Sequence, residues 1–242
     1  FWYIQTKNLQ EFYFVEKPNI NAIIHDHKKD VSDNDIRREL ERTLNVMLKG
    51  TKFKPIIWDE HELEDTDELK VFAIDYKIKL TSETLAKSYV TQNLEHLSNG
   101  SIREKQNTIV FVYPDQDSVK SLLDKARWLV AIQSAHKDER VKATKEFIDK
   151  IKARENDASG DLIKECFMAY CKIAYPNGPE PRFDVVYRLD TTSETIAGAI
   201  VEVLRKKGKL IDILGVDGIP EVTKPLQISN IYKGFKVDKS KK

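Results

Sequence analysis

Apolar residues return at two different spacings along the chain. Between residues 33 and 48 they recur every three or four positions, which is the period of one face of a helix. Ser32, three residues before Asp35, resembles a capping box at the start of this helix, and Gly50 stands where a left-handed C-cap would end it. The same spacing predicts further helices that begin near Ser82, near Asp117, near Asp138 and at Thr192 or Ser193.

Short apolar runs predict the strands. The clearest run is 108–113, which is β-branched and aromatic and ends at Pro114, so we predict a central strand that is buried on both faces. Residues 2–15 mix aromatic and polar side chains around Asn8, a pattern typical of a β-hairpin or two short strands, and a break follows at 18–21. The remaining predicted strands are 54–58, 69–76 and 183–189.

The order of these elements predicts an α/β fold. Helices and strands largely alternate, with two adjacent strands early in the chain, a pattern typical of a mixed, mostly buried sheet flanked by helices. We predict three units, of which 1–136 is an α/β domain opened by an aromatic hairpin. The second, 137–181, is a helical arm, because 141–154 is lean in apolar residues, and its helical pattern breaks near 156–160. The third, 182–242, is a strand–helix segment with a basic tail, compatible with a winged-helix-like part.

Composition narrows the functional classes. The chain holds 40 Lys and Arg against 39 Asp and Glu, a net charge of +1, so binding to nucleic acid needs a local basic patch. The chain has no run of about 18 apolar residues, which argues against a membrane span. It has only two cysteines, which argues against a disulfide-stapled fold. Without a basic-then-apolar signal segment we predict a cytoplasmic protein, and the charge-rich composition fits a thermophile. The apolar start Phe1-Trp2-Tyr3-Ile4 favours a piece cut from a longer protein.

Nucleotide hydrolysis by this chain is not expected. A P-loop needs a glycine-rich turn that ends in Gly-Lys-Ser/Thr, so that backbone amides and a lysine hold the phosphates. Gly208-Lys209 is the only Gly-Lys pair, Leu210 follows it, and no Gly-x-Gly-x-x-Gly or Gly-x-Ser-x-Gly occurs. We therefore predict no catalytic residue and no cofactor, and that the chain alone is not an enzyme.

Three other groups of residues have side chains that can bind metals or form disulfides. His25-Asp26-His27 could serve zinc or manganese, but a polar loop before Lys28-Lys29 is the simpler interpretation, and no metal site is predicted. Cys166 and Cys171 have no partner pair in the sequence and are predicted to be buried small hydrophobes. The acidic run 59–68 lacks the EF-hand order and is predicted to be a solvated connection. A third ligand beside His25 and His27 would have to come from His61, Glu62 or His96.

The candidate nucleic-acid-binding residues lie at the end of the last predicted helix. They form a basic run with Gly208, and the tail at 233–242 carries five more lysines against one aspartate. Two interpretations stay open: the run contacts phosphates, or it complements the helix dipole and the tail is solvated. The candidates are Arg205, Lys206, Lys207 and Lys209.

Several segments together resemble a known family. Phe12-Tyr13-Phe14 precedes Lys17-Pro18-Asn19-Ile20-Asn21 and the helix over 33–48; later come Gln106-Asn107-Thr108-Ile109-Val110-Phe111-Val112 and Ala126-Arg127-Trp128-Leu129-Val130-Ala131-Ile132. This order resembles the region C-terminal to the ATPase core in a family of large prokaryotic AAA+-type ATPases of unknown function. There, a "Trp/Phe-Phe-x-x-x-Pro-Asn-Leu-Asn" segment precedes a helix, and an "Arg-Asn-Thr-Leu-Val-Phe-Leu" strand leads into a "Tyr-Leu-Ala-Trp" helix. The resemblance covers roughly residues 1–175.

The resemblance implies a non-catalytic C-terminal region of an ATPase, which docks on the ATPase core of the same parent chain and binds a partner or DNA. Family members accompany DNA methyltransferases and helicases in defence-type gene clusters, so those proteins are further expected partners. Because this chain lacks a Walker motif, no catalytic residue carries over. Two alternatives remain: a stand-alone nucleic-acid-binding protein that uses the C-terminal helix and basic tail, and an unrecognised α/β enzyme.

Overall fold

The computed structural model describes residues 2–8, 11–16, 19–50, 53–143, 145–176, 183–186, 189 and 193–209. The predicted winged-helix-like part and the tail lysines lie outside the described residues. In chain order the elements are β1 (Trp2–Asn8), β2 (Glu11–Glu16), α1 (Ile20–Asp30), α2 (Asp33–Leu48), β3 (Lys54–Ile57), β4 (Lys70–Ala73), α3 (Glu83–Glu95), β5 (Ile109–Tyr113), α4 (Gln116–His136), α5 (Glu139–Lys142), α6 (Lys145–Ala169), β6 (Lys172–Pro176), β7 (Phe183–Val186) and α7 (Ile196–Lys206).

Five strands form one mixed sheet in the order β3-β4-β5-β6-β7, and β1 and β2 form a separate antiparallel pair. β3, β4 and β5 run parallel, whereas β6 and β7 are antiparallel to their neighbours. β5 is the middle strand and all five of its residues are buried, so the predicted central strand is confirmed. The predicted class, an α/β fold with a mixed sheet flanked by helices, is confirmed as well.

The two faces of the sheet carry separate hydrophobic layers. Strand residues such as Val71 and Val110 pack with α1, α2, α4, α6 and α7, whereas Phe72 and Phe111 point to the other face, where α3 covers them. The two phenyl rings meet edge to face with 5.9 Å between their centroids. β4, β5 and β6 alternate between the two layers, because successive side chains of a strand point to opposite faces.

Local signals at α2 are partly confirmed. Ser32 is the N-cap, and its hydroxyl oxygen accepts a hydrogen bond from the Asp35 amide at 3.2 Å, as the capping box predicts. The left-handed C-cap predicted at Gly50 is wrong, because the described glycines with a positive φ are Gly100 and Gly208 and do not include Gly50. A Cβ on Gly50 would lie 3.3 Å from the Cβ of Ala197, so a close approach to α7 is what favours glycine there.

Two details predicted for 137–181 differ in the structure. α6 continues without a break through 156–160, and it packs along α4 because its buried apolar residues form a stripe on one side of the helix. The chain then forms β6, so this part of the chain also supplies a strand to the sheet. Residues from all three predicted units contribute to the larger hydrophobic cluster. The buried residues of α6 include Ile151, Ala158, Leu162 and Cys166.

Candidate nucleic-acid interface

The predicted basic run lies at the end of α7. Thr195 caps the start of this helix, since its hydroxyl accepts the Gly198 amide at 3.1 Å, and an apolar stripe that includes Ile200 and Leu204 faces the core. Burial of this stripe fixes the helix against the rest of the fold. Its last turn therefore projects toward solvent.

Gly208 ends α7 in a Schellman motif. Its φ is +65°, the Lys209 amide donates to the Leu204 carbonyl at 2.8 Å, and the Gly208 amide donates to the Arg205 carbonyl at 3.0 Å. Only glycine adopts this backbone conformation without strain. The Gly208-Lys209 pair is thus a helix stop, which agrees with the prediction that it forms no phosphate-binding loop.

All four predicted site residues are exposed, and they surround this helix end. Three of them lie on the last turn or at the C-cap, where positive side chains are favoured by the negative end of the helix dipole. Glu202 lies one turn earlier on the same helix, so its carboxylate tempers the local positive charge. The geometry fits phosphate contact and dipole compensation equally. The residues concerned are Arg205, Lys206, Lys207 and Lys209.

The histidine pair considered for metal binding is divided. His25 and His27 lie on α1, which is a helix and not a loop, so their side chains diverge. The His25 ring packs against Trp128 with 5.5 Å between centroids, and Nε2 of His27 lies 2.9 Å from a carboxylate oxygen of Asp138. Among the described residues no group of three or more His, Cys, Asp or Glu could hold a metal ion.

His61 and His96 line the same pocket, which does not include His25 or His27. Together with Glu60, Tyr89 and Asn93 they line a polar pocket of about 540 Å³ between α3 and the connection after β3. The Tyr89 hydroxyl donates to the Glu60 carboxylate, and burial together with this carboxylate raises the pKa of Tyr89 well above its ordinary value.

The acidic connection 59–68 is mostly exposed, as predicted, but some of its groups also bind other parts of the chain. Asp65 accepts the amides of Glu104 and Lys105, both at 2.8 Å, and these two bonds hold the pKa of its carboxyl below the ordinary value. Arg103 is buried and donates to the Glu64 carbonyl at 3.2 Å. Folding thus uses this segment to satisfy polar groups that lie about 40 residues further along the chain.

A cluster of aromatic and charged side chains lies at the carboxyl ends of β3 and β4. Trp58 has a φ of +64°, which is strained for a bulky residue. Arg37 lies 4.2 Å from the Trp58 ring centroid and donates to Asp75 at 2.7 Å. The indole N–H of Trp58 donates to the Tyr170 hydroxyl at 3.1 Å, and that hydroxyl donates to the Ile74 carbonyl at 3.2 Å.

This edge is where ligands bind in many open α/β sheets, in the crevice between strands whose connections leave to opposite faces. The connection after β4 leads to α3 on one face, and the connection after β5 leads to α4 on the other. The Gln116 amide donates across this crevice to the Ile78 carbonyl at 3.3 Å. The crevice is therefore bridged by the protein itself.

A second basic surface was missed from the sequence. His25, Lys28, Lys29, Val31 and Arg127 line a groove of about 510 Å³ between α1 and α4. The signal that could have found half of it is the i, i+3, i+4 spacing of the three α1 residues, which places them on one helix face. The half on α4 has no local signal, because about 100 residues separate the two helices.

Comparison with known proteins adds no relative: no family model, no curated protein and no solved structure matches the chain. The resemblance to C-terminal regions of AAA+-type ATPases thus stays a prediction. Of the helices that the structure describes, none is both long and apolar enough to cross a membrane.

Proposed function

We propose that this chain is the non-catalytic C-terminal region of a larger AAA+-type ATPase, where it docks on the ATPase core and binds DNA through the basic end of α7. The observation that carries the DNA-binding part is the exposed cationic end of that helix, held by a packed apolar stripe and a Schellman motif. A lysine is a point charge without base-reading geometry. The binding is therefore to phosphate, independent of sequence and weakened by salt.

The segments that carry the family resemblance support the first part of the proposal. Asn19 caps α1, and its side chain accepts the Asn21 amide at 3.0 Å, while Asn21 in turn accepts a hydrogen bond from Arg154 on α6. Residues 109–113 form the middle strand, and Trp128 on α4 contacts α1. The shared motifs thus hold the helical layer together, as motifs of a structural region would.

The β1–β2 pair is the docking element in this proposal. It forms a sheet of its own, and its register places Ile4 opposite Phe14 and Thr6 opposite Phe12. An isolated two-stranded hairpin is only marginally stable in water. Contact with the ATPase core would supply the additional packing partner.

The alternative of an α/β enzyme receives less support. At the carboxyl edge, where a substrate would bind, Arg37, Asp75, Trp58 and Tyr170 are all paired within one cluster among the described residues. The proposal expects no heat of binding when ATP and Mg²⁺ are titrated into this chain in a calorimeter. A micromolar dissociation constant would contradict it.

Fluorescence anisotropy with a labelled DNA duplex tests the α7 end. In the double variant Lys206→Gln with Lys207→Gln, the slope of log affinity against log salt should fall by about 0.9 for each phosphate contact removed. Lys77→Gln with Lys79→Gln is the matched control, because both lysines are exposed on the connection after β4 and the charge change is the same. Equal slopes in the two double variants would assign Lys206 and Lys207 to the helix dipole and remove the DNA-binding part of the proposal.

A further inference from the structure

The groove between α1 and α4 contains cationic side chains on both walls. Lys28 and Lys29 come from the last turn of α1, Arg127 comes from α4, and His25 completes the lining. None of the residues that line it is acidic. Converging cations from two rigid helices create a local positive potential although the net charge of the chain is close to zero.

Trp128 organises this surface. The Nζ atom of Lys28 lies 5.6 Å from the centroid of its ring, within the range of a cation–π interaction, and the His25 ring is tilted by 57° against the same indole. His25 and Lys28 are one helical turn apart on α1. The tryptophan therefore keeps two groove residues on the α4 side of α1 rather than leaving them free in solvent.

The acidic partners of the groove are weak competitors for an anion. Lys29 contacts Asp26 at 3.1 Å, and the Asp26 side chain is 57% exposed. Arg127 lies 3.5 Å from Asp33, whose side chain is 91% exposed. Exposed ion pairs contribute little free energy, about 1 kcal/mol or less, so an incoming phosphate can replace both carboxylates at small cost.

We propose that the groove formed by His25, Lys28, Lys29, Val31 and Arg127 binds the phosphodiester backbone of DNA, as a site separate from the end of α7. Lysines and an arginine that surround an open groove match the phosphate contacts that dominate non-specific DNA binding. The ligand class is the one that the proposed function assigns to α7, but the groove residues lie on other helices. One site can therefore fail while the other stands.

The competing interpretation is that the α1 lysines only complement the negative end of their own helix dipole. This role would stabilise α1 without giving any affinity for DNA. The two roles differ in what they change: dipole compensation lowers the thermal midpoint when the lysines are removed, whereas phosphate binding changes the salt dependence of DNA affinity.

The test compares four proteins, each the full 242-residue chain, by anisotropy with the same labelled DNA duplex. They are the wild type, Lys28→Gln with Lys29→Gln, Lys206→Gln with Lys207→Gln, and the matched control Lys77→Gln with Lys79→Gln. We expect the loss of affinity between about 50 and about 200 mM salt to be about tenfold smaller in the groove variant than in the control, which corresponds to two phosphate contacts. A fifth protein, Arg127→Gln, should shift the slope in the same direction from the α4 side.

The outcomes are distinct. A slope in the groove variant equal to that of the control overturns the groove site, and a changed slope only in the α7 variant would then leave the proposed function intact. A changed slope only in the groove variant supports the groove and overturns the α7 site. A wild type that does not bind the duplex at low salt overturns both. Circular dichroism of each variant confirms that a change in affinity is not a loss of fold.

Discussion

The two edges of the parallel part of the sheet bind their cationic side chains in different ways. At the amino edge, Arg103 is only 2% exposed and its guanidinium donates to backbone carbonyls of Glu64 and Asn93. At the carboxyl edge, Arg37 is 31% exposed and pairs with a carboxylate, Asp75. Burial lowers the pKa of Arg103, whereas the Asp75 partner outweighs burial and raises the pKa of Arg37.

Lys70 repeats the arrangement of the amino edge. It is 1% exposed, and its ammonium donates to the Thr66 hydroxyl at 2.7 Å and to the Glu68 carbonyl at 3.0 Å. Burial lowers its pKa. At the amino edge, buried cations therefore donate hydrogen bonds to an irregular connection. At the carboxyl edge, one ion pair and one aromatic ring attach α2 to the sheet. The difference shows that the same residue type closes a loop at one edge and joins two elements at the other.

The largest expected effect concerns Phe111, in the middle of the sheet. It gives a reference for the stability changes expected at the two edges. Phe111 is fully buried in the middle strand and meets Phe72 edge to face. Phe111→Ala should lower the free energy of unfolding by about 3–5 kcal/mol, because it leaves a cavity that the layer cannot fill. Urea denaturation measures it. A cost below 1 kcal/mol would mean that this face of the sheet is not packed as described.

The next effect separates the edges directly. Arg103→Met removes a buried guanidinium and leaves the part-buried carbonyls of Glu64 and Asn93 without this donor, and should cost about 1–3 kcal/mol. Arg37→Met removes a partly exposed ion pair and should cost about 1 kcal/mol or less. Urea denaturation of both variants under the same conditions gives the difference. Equal costs would remove the distinction between the edges.

A smaller effect concerns the strained backbone at the carboxyl edge. Trp58→Ala and Trp58→Gly lose the same stacking on Arg37 and the same hydrogen bond to Tyr170, but only glycine accepts a φ of +64° without strain. The glycine variant should therefore be more stable than the alanine variant by about 1 kcal/mol. Thermal denaturation compares the two. Were alanine the more stable, the positive φ would carry no strain.

The smallest expected effect is a pH dependence of stability at the amino edge. The pKa of Asp65 is lowered in the folded state because its carboxylate accepts the backbone amides of Glu104 and Lys105. Its contribution to stability is present above the unfolded pKa of 3.8 and is lost as the pH falls through the lower folded value. When the pH falls below about 3.8, the Asp65→Asn variant should therefore lose less stability than the wild type. Identical urea midpoints against pH would place Asp65 outside the stabilising contacts.

Much of the candidate site was visible in the sequence and part of it was not. The basic run and Gly208 predicted an α7 that ends in exposed cations, because a helix stop is a local backbone property. The groove on α1 and α4 was missed, since Lys29 and Arg127 approach each other only when the two helices pack. The same separation hid the partners of Arg103 and Asp65.

The sequence by itself determined the elements whose cause is local. Apolar period and a capping serine determine α2, and a continuous β-branched run determines β5 as a buried strand. Only the tertiary structure decided where α6 packs, how closely Gly50 approaches Ala197 on α7, and which carbonyls accept hydrogen bonds from the buried cations. These features depend on contacts between residues that are far apart in the sequence. The pattern of neighbouring residues gives no information on such contacts.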